Sequence, residues 1–193
     1  MRAIKNDLPV RHRIFGELFA SELIAKFLKT NPWKSLLYYE YFTGTNILIP
    51  VPRSSPICKG ALWPSFRIAR AMEQNSLGKV RAVIERIIPV SKSSLTPPER
   101  RPSPYNHYES MAVLSMLSMS PQTEVILVDD IITRGHTFMG AAWCIKKAFP
   151  EVQIKAFAAM RTVSNESEFK GLIDPVYGQI VYRNRSADCL RRP

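Results

Sequence analysis

Residues 124–137 read Glu124-Val125-Ile126-Leu127-Val128-Asp129-Asp130-Ile131-Ile132-Thr133-Arg134-Gly135-His136-Thr137. The run Val125 to Val128 is short, apolar and uninterrupted, the pattern of a strand buried on both faces of a parallel sheet. The spacing that follows predicts a helix from Thr137 to Phe149 and a second strand from Val152 to Met160. Strand, helix and strand within about forty residues make a βαβ unit, which sets the class as α/β with a mainly parallel central sheet flanked by helices.

Open sheets of this kind bind ligands beyond the carboxyl ends of their strands. Asp129 and Asp130 fall at that end, directly after the apolar run. Two adjacent carboxylates are costly there unless a polyol, a cation or a cationic side chain satisfies them. Thr133 to Thr137 then read as a polar turn opening the helix. Gly135 permits close backbone approach, and the N–H groups of the first helical turn, which lack intrahelical acceptors, suit a dianionic phosphate. The hydroxyls of Thr133 and Thr137 add donors. Acids for hydroxyls and amides for a phosphate describe a sugar-phosphate pocket.

Outward from this unit, Ile47-Leu48-Ile49-Pro50-Val51 reads as a buried strand followed by the polar turn Arg53-Ser54-Ser55-Pro56. Residues 64–74 open on proline and carry Phe66, Ile68, Ala69 and Met72, which predicts a helix. In 80–90 the β-branched Val83, Ile84, Ile87, Ile88 and Val90 favour a strand over the second half. From Pro89 to Ser110 the pattern collapses into a proline- and serine-rich stretch with several cations, which reads as a lid, a binding loop or a linker. At the N-terminus, residues 14–29 have helical spacing and Asn31-Pro32 ends them. A second short helix is expected from Trp33 to Tyr41, its aromatic residues serving helix packing or a dimer surface.

The composition sets outer limits. With 193 residues, 46% hydrophobic and 22% charged, the chain is a comfortable length for one domain and is not a disordered polymer. Expected is a single domain over 1–193, with a core near 46–162, an N-terminal helical segment over 1–45 and a C-terminal extension over 163–193. No apolar run is long enough to span a bilayer. No secretory signal is visible among Lys5, Asp7, Arg11, His12 and Arg13. Cys58, Cys144 and Cys189 form no CxxC pair, which argues against a disulfide scaffold and a zinc ribbon. The expectation is therefore a reduced, cytoplasmic protein without a protein-held metal site. The net charge of +11 points to polyanionic partners, whether phosphorylated metabolites or nucleic acid, or simply to a solvated basic surface.

The segment Asp129 to Thr137 resembles the signature of the type I phosphoribosyltransferases: a strand, two acids, two mostly apolar residues, then Thr-x-Gly-x-Thr. The Arg134-Gly135 pair is similar to the amidophosphoribosyltransferase variant. The arrangement of Ile47–Pro56 and the helix after it resembles the competence-associated, ComF-type branch. The resemblance implies a type I phosphoribosyltransferase-like fold with a flexible lid loop at 89–110. It implies phosphoribosyl diphosphate and a nitrogenous acceptor as substrates, and Mg²⁺ held mainly by substrate oxygens and water. It further implies that Asp129 and Asp130 bind the ribose hydroxyls, that Thr133, Arg134, Gly135, His136 and Thr137 wrap the 5-phosphate, and that Arg53 and Ser54 touch the diphosphate. Lys92 and Arg101, with Arg100 beside them, are then the cations over the leaving group. Tyr105 or His107 is placed to close on the site.

Each of these residues also has a plainer reading. The aspartates could serve as helix caps, Arg100-Arg101 as a solvated pair, His107 and His136 as loop histidines, and Cys58 as a small apolar filler. A receiver domain also ends a strand in Asp-Asp, but the 63 residues after Asp130 are too few for the units that would have to follow. The alternative function is a non-catalytic regulator or a nucleic-acid-associated protein on the same fold.

Overall fold

The computed structural model describes residues 1–30, 41–91, 96–97, 100–114, 123–163 and 175–192. In chain order the described elements begin with α1 (Arg2–Asn6), β1 (Pro9–His12), β2 (Gly16–Phe19) and α2 (Ala20–Thr30). The middle of the chain contributes β3 (Ile47–Pro50), α3 (Pro64–Gln74), β4 (Lys79–Val80), β5 (Ile84–Arg86), α4 (Pro104–Glu109) and β6 (Met111–Val113). The last third contributes β7 (Glu124–Ile132), α5 (His136–Ala148), β8 (Gln153–Arg161), β9 (Gln179–Arg183) and β10 (Asp188–Arg192).

The protein is α/β, with a four-stranded parallel sheet in the order β4-β3-β7-β8. Val125 to Val128 are buried without a break, as a central strand covered on both faces requires. Alternate residues serve opposite faces. Leu48, Ile126 and Val128 pack with Ala25 and Leu28 of α2 and Ile68, Ala69 and Met72 of α3. Ile49, Val125 and Leu127 pack with Phe138, Ala141, Cys144 and Ile145 of α5, together with Ile84 and Met111. The helices therefore lie on both sides of the sheet.

This order positions a site. From β3 the chain crosses through α3 to β4 on one side, whereas from β7 it crosses through α5 to β8 on the other. Between β3 and β7 the connections run in opposite directions, which opens a crevice at the carboxyl ends of those two strands. The β3–β7 pairing ends at Pro50 opposite Val128, with a last hydrogen bond from Val51 N to the Val128 carbonyl (2.9 Å). The loop after β3 thus begins beside Asp129.

Several expectations need correction. Residues 14–19 are not helical: β1 and β2 form a hairpin, with Val10 opposite Leu18 and Arg11 opposite Glu17. Gly16 has φ +74°, a conformation that ends any helix there, and α2 begins only at Ala20. Asp7, buried and distant in sequence, accepts a hydrogen bond from Ser21 N at the start of α2 (2.9 Å). The second half of 80–90 is not one strand either. Only Ile84–Arg86 pairs, and Ile87 and Ile88 stand exposed while their N–H groups share the Ser110 carbonyl. The 89–110 stretch is not all loop, because Ser103 and Asn106 cap α4 reciprocally and Pro104 occupies its first turn. β7 is longer than the apolar run, so Asp129 and Asp130 lie within the strand. The expected helix from Trp33 lies outside the described residues. No helix among the described residues is long and apolar enough to cross a membrane.

Candidate active site

Beyond Val128 the β3 side of β7 has no strand partner among the described residues, whereas the other side stays paired as far as Ile132 opposite Arg161. Asp129 stands on this open end. It lines one cleft with Arg101 and the continuous segment from Ile131 to Phe138. Asp130 donates its N–H to the Asp129 carboxylate (2.9 Å) and flanks the cleft rather than lining it. Burial pushes the Asp129 carboxyl well above its ordinary range, and the neighbouring charge of Asp130 adds to the push. The Asp130 N–H and the charge of Arg86 act in the opposite sense.

Gly135 is the N-cap of α5, with φ +91° and no side-chain cap on the helix. The first-turn N–H groups of this thirteen-residue helix open on the cleft that Thr133 and Thr137 also line. A side chain at 135 would be strained and would also strike Ile180, whose Cγ2 lies 2.8 Å from the position a Cβ would take. Ile180 belongs to the β9–β10 hairpin, which closes one side of the loop.

The same hairpin engages the loop's charged side chains. His136 Nε2 meets the Asp188 carboxylate at 2.5 Å, and its Nδ1 lies 2.9 Å from the Pro102 carbonyl. Arg134 reaches the Asp188 carboxylate at 3.6 Å, and Arg183 pairs with that same carboxylate at 3.0 Å. Of His136, then, the cleft receives the backbone, while the ring ties Pro102 to the hairpin. His136 is not the unpartnered loop histidine that its sequence context suggests.

The remaining predicted residues divide. Arg101 reaches the cleft, its Nε donating to the Thr96 carbonyl (3.1 Å). Arg53 and Ser54 occupy the loop after β3, at the same end of the sheet. Lys92 lies outside the described residues. Tyr105 is exposed, 5.9 Å from the Tyr108 ring, and does not line the cleft. His107 sits in α4 rather than in a loop and is buried at 4% exposure, which removes it as a closing residue. Cys58 is exposed and fills nothing.

Sequence reasoning missed Arg86 and Asp188. Arg86 is 3% exposed, beneath the site. Its signal was present: in Ile84-Glu85-Arg86 the period of two places Arg86 on the same inward face as Ile84. Asp188 had no such signal, because the two residues that tie it to the cleft, His136 and Arg134, lie more than fifty residues away in the chain.

A divalent cation would find two adjacent carboxylates here, and no cluster of three or more His, Cys, Asp or Glu exists among the described residues. That donor set fits a hard ion completing its shell from diphosphate oxygens and water. No protein-family model matches the chain, and no curated protein matches its sequence. The functional reading rests on the residues of 129–137 and on their place in the sheet.

Proposed function

We propose that the protein is a phosphoribosyltransferase that moves ribose 5-phosphate from phosphoribosyl diphosphate to a nitrogenous acceptor. The observation that carries this reading is the convergence of Asp129, the uncapped start of α5 and Arg101 on one cleft at the crevice between β3 and β7. Carboxylates accept hydrogen bonds from sugar hydroxyls, and the α5 amides with the Thr133 and Thr137 hydroxyls bind a phosphate dianion. The two ends of a ribose 5-phosphate are thereby held by one continuous segment.

As the bond from ribose C1 to diphosphate breaks, positive charge develops on the sugar and negative charge on the leaving group. Asp129 in the cleft and Asp130 beside it favour the cationic sugar. Arg101, together with Arg53 and Ser54, is placed for the departing diphosphate, where preorganised charge acts most strongly. Mg²⁺, when bound with the diphosphate, supplies neutralisation of its charge.

Isothermal titration calorimetry with phosphoribosyl diphosphate, with and without Mg²⁺, and with ribose 5-phosphate tests the reading. Micromolar, Mg²⁺-dependent binding of the diphosphate is expected, with weaker binding of ribose 5-phosphate. Absence of binding to both ligands would overturn it.

A further inference from the structure

Arg86 is a buried cation without a carboxylate in salt-bridge contact among the described residues, and such a charge calls for an explanation. Its hydrogen bonds to the described residues all go to neutral groups. Nε donates to the Arg53 carbonyl (2.8 Å), and Nη1 to Ser110 Oγ and the His107 carbonyl (3.4 Å). Nη2 faces His107 Nδ1 at 3.4 Å. A guanidinium has no acceptor, so His107 Nδ1 receives and the ring proton sits on Nε2, which has no partner among the described residues. Burial, then the charges of Arg86 and His136, hold His107 down to about 3, so the imidazole is neutral and adds no second positive charge beside the arginine.

The backbone around Arg86 makes the same connections. Val90 N donates to the Ser54 carbonyl (2.7 Å), and Ile87 N to the Ser110 carbonyl (2.9 Å). α4 is in turn pressed onto α5: a Cβ at Gly140 would lie 2.6 Å from His107 Cβ and 2.8 Å from Tyr108 N. The chain of contacts therefore runs from residues 53–54, through Arg86, to α4 and on to α5, whose first turn is the phosphate loop. It links the loop after β3 to the loop that lines the cleft.

We propose that Arg86 is the positioning residue of the diphosphate side of the site. Its planar fork fixes the backbone of Arg53 and Ser54 at a set distance from the α5 loop, and its buried charge offsets the Asp129–Asp130 pair. This inference rests on the phosphoribosyltransferase reading and adds a residue that acts through others.

Lysine at 86 keeps the charge but cannot reach Arg53, Ser110 and His107 together. In Arg86→Lys, affinity for phosphoribosyl diphosphate should fall by about tenfold or more, the loss of one charge-assisted hydrogen bond. Affinity for ribose 5-phosphate, which needs only the 129–137 segment, should hold within about twofold, as for a distant site. Ser110→Ala, a milder change to the same fork, should give a smaller loss with the same selectivity if Arg86→Lys does not fold. A merely structural arginine would weaken both ligands alike. Equal loss of both, or no loss of either, overturns the inference while leaving the phosphoribosyltransferase reading intact. A parent protein that binds neither ligand overturns both.

Discussion

Asp129 carries opposing demands. Its carboxyl is pushed upward by burial and by the Asp130 charge, so the folded chain binds a proton there more readily than the unfolded chain does. Stability from this group therefore falls as pH rises from the unfolded carboxylate value toward the raised folded one. Asp129→Asn should melt higher than the parent at neutral pH while losing sugar binding. Asp130→Asn should keep the fold, and removal of a charged acceptor of hydroxyls should weaken phosphoribosyl diphosphate by about tenfold to a hundredfold. Paired thermal melts and calorimetry check both. A variant of either kind that melts like the parent and binds as tightly would remove these carboxylates from the site. The burial of Arg86 shows how far residue chemistry could be read: its inward direction followed from strand period, but its partners come from the loop after β3, at Arg53, and from α4 and its C-cap, at His107 and Ser110.

At the scale of elements, the C-terminal hairpin behaves as a clamp on the loop at 133–137. Ile180 seals Gly135, and the Trp143 and Tyr182 rings meet edge-on at 4.9 Å. Asp188 gathers His136, Arg134 and Arg183. Partial burial raises the Asp188 carboxyl, but hydrogen bonds from His136 and the Cys189 N–H, with the charges of His136 and Arg134, outweigh it and hold the group below its ordinary 3.8. A carboxyl lowered on folding contributes stability that is present above 3.8 and lost as pH falls through the folded value. Protection of the β9 and β10 amides, corrected for intrinsic exchange, should therefore fall in that acid window in the parent. In Asp188→Asn it should already be lower at neutral pH and lack the acid step. Equal protection in parent and variant would show that apolar packing alone holds the hairpin. Elements with local signals, such as α3 with its leading proline and the strands around Asp129, were legible in sequence. The Ser103–Asn106 cap of α4 was also written there, inside a stretch whose prolines pointed to a loop. The β1–β2 hairpin was hidden because its apolar spacing also fits a helix, and only the backbone at Gly16 separates the two.

For the whole molecule the charge of +11 is the feature that the pocket does not absorb. It favours the alternative reading of a nucleic-acid-associated protein on this fold. Filter binding to duplex DNA at low and moderate salt separates the two, since phosphate-driven binding weakens steeply with salt. The phosphoribosyltransferase reading expects no retained complex at moderate salt. Tight binding with a steep salt dependence would favour the regulator.

The α/β class, the strand before Asp129 and the turn at Gly135 follow from local pattern, because apolar run length, helix initiation and turn chemistry act within a few residues. Tertiary structure alone decided the strand order that opens a crevice between β3 and β7, the burial of Arg86 against Arg53 and α4, and the clamp of Asp188 on the loop at 133–137. Those contacts join residues from about twenty to more than fifty positions apart in the chain. Their energy depends on packing and desolvation, which no short window of sequence contains.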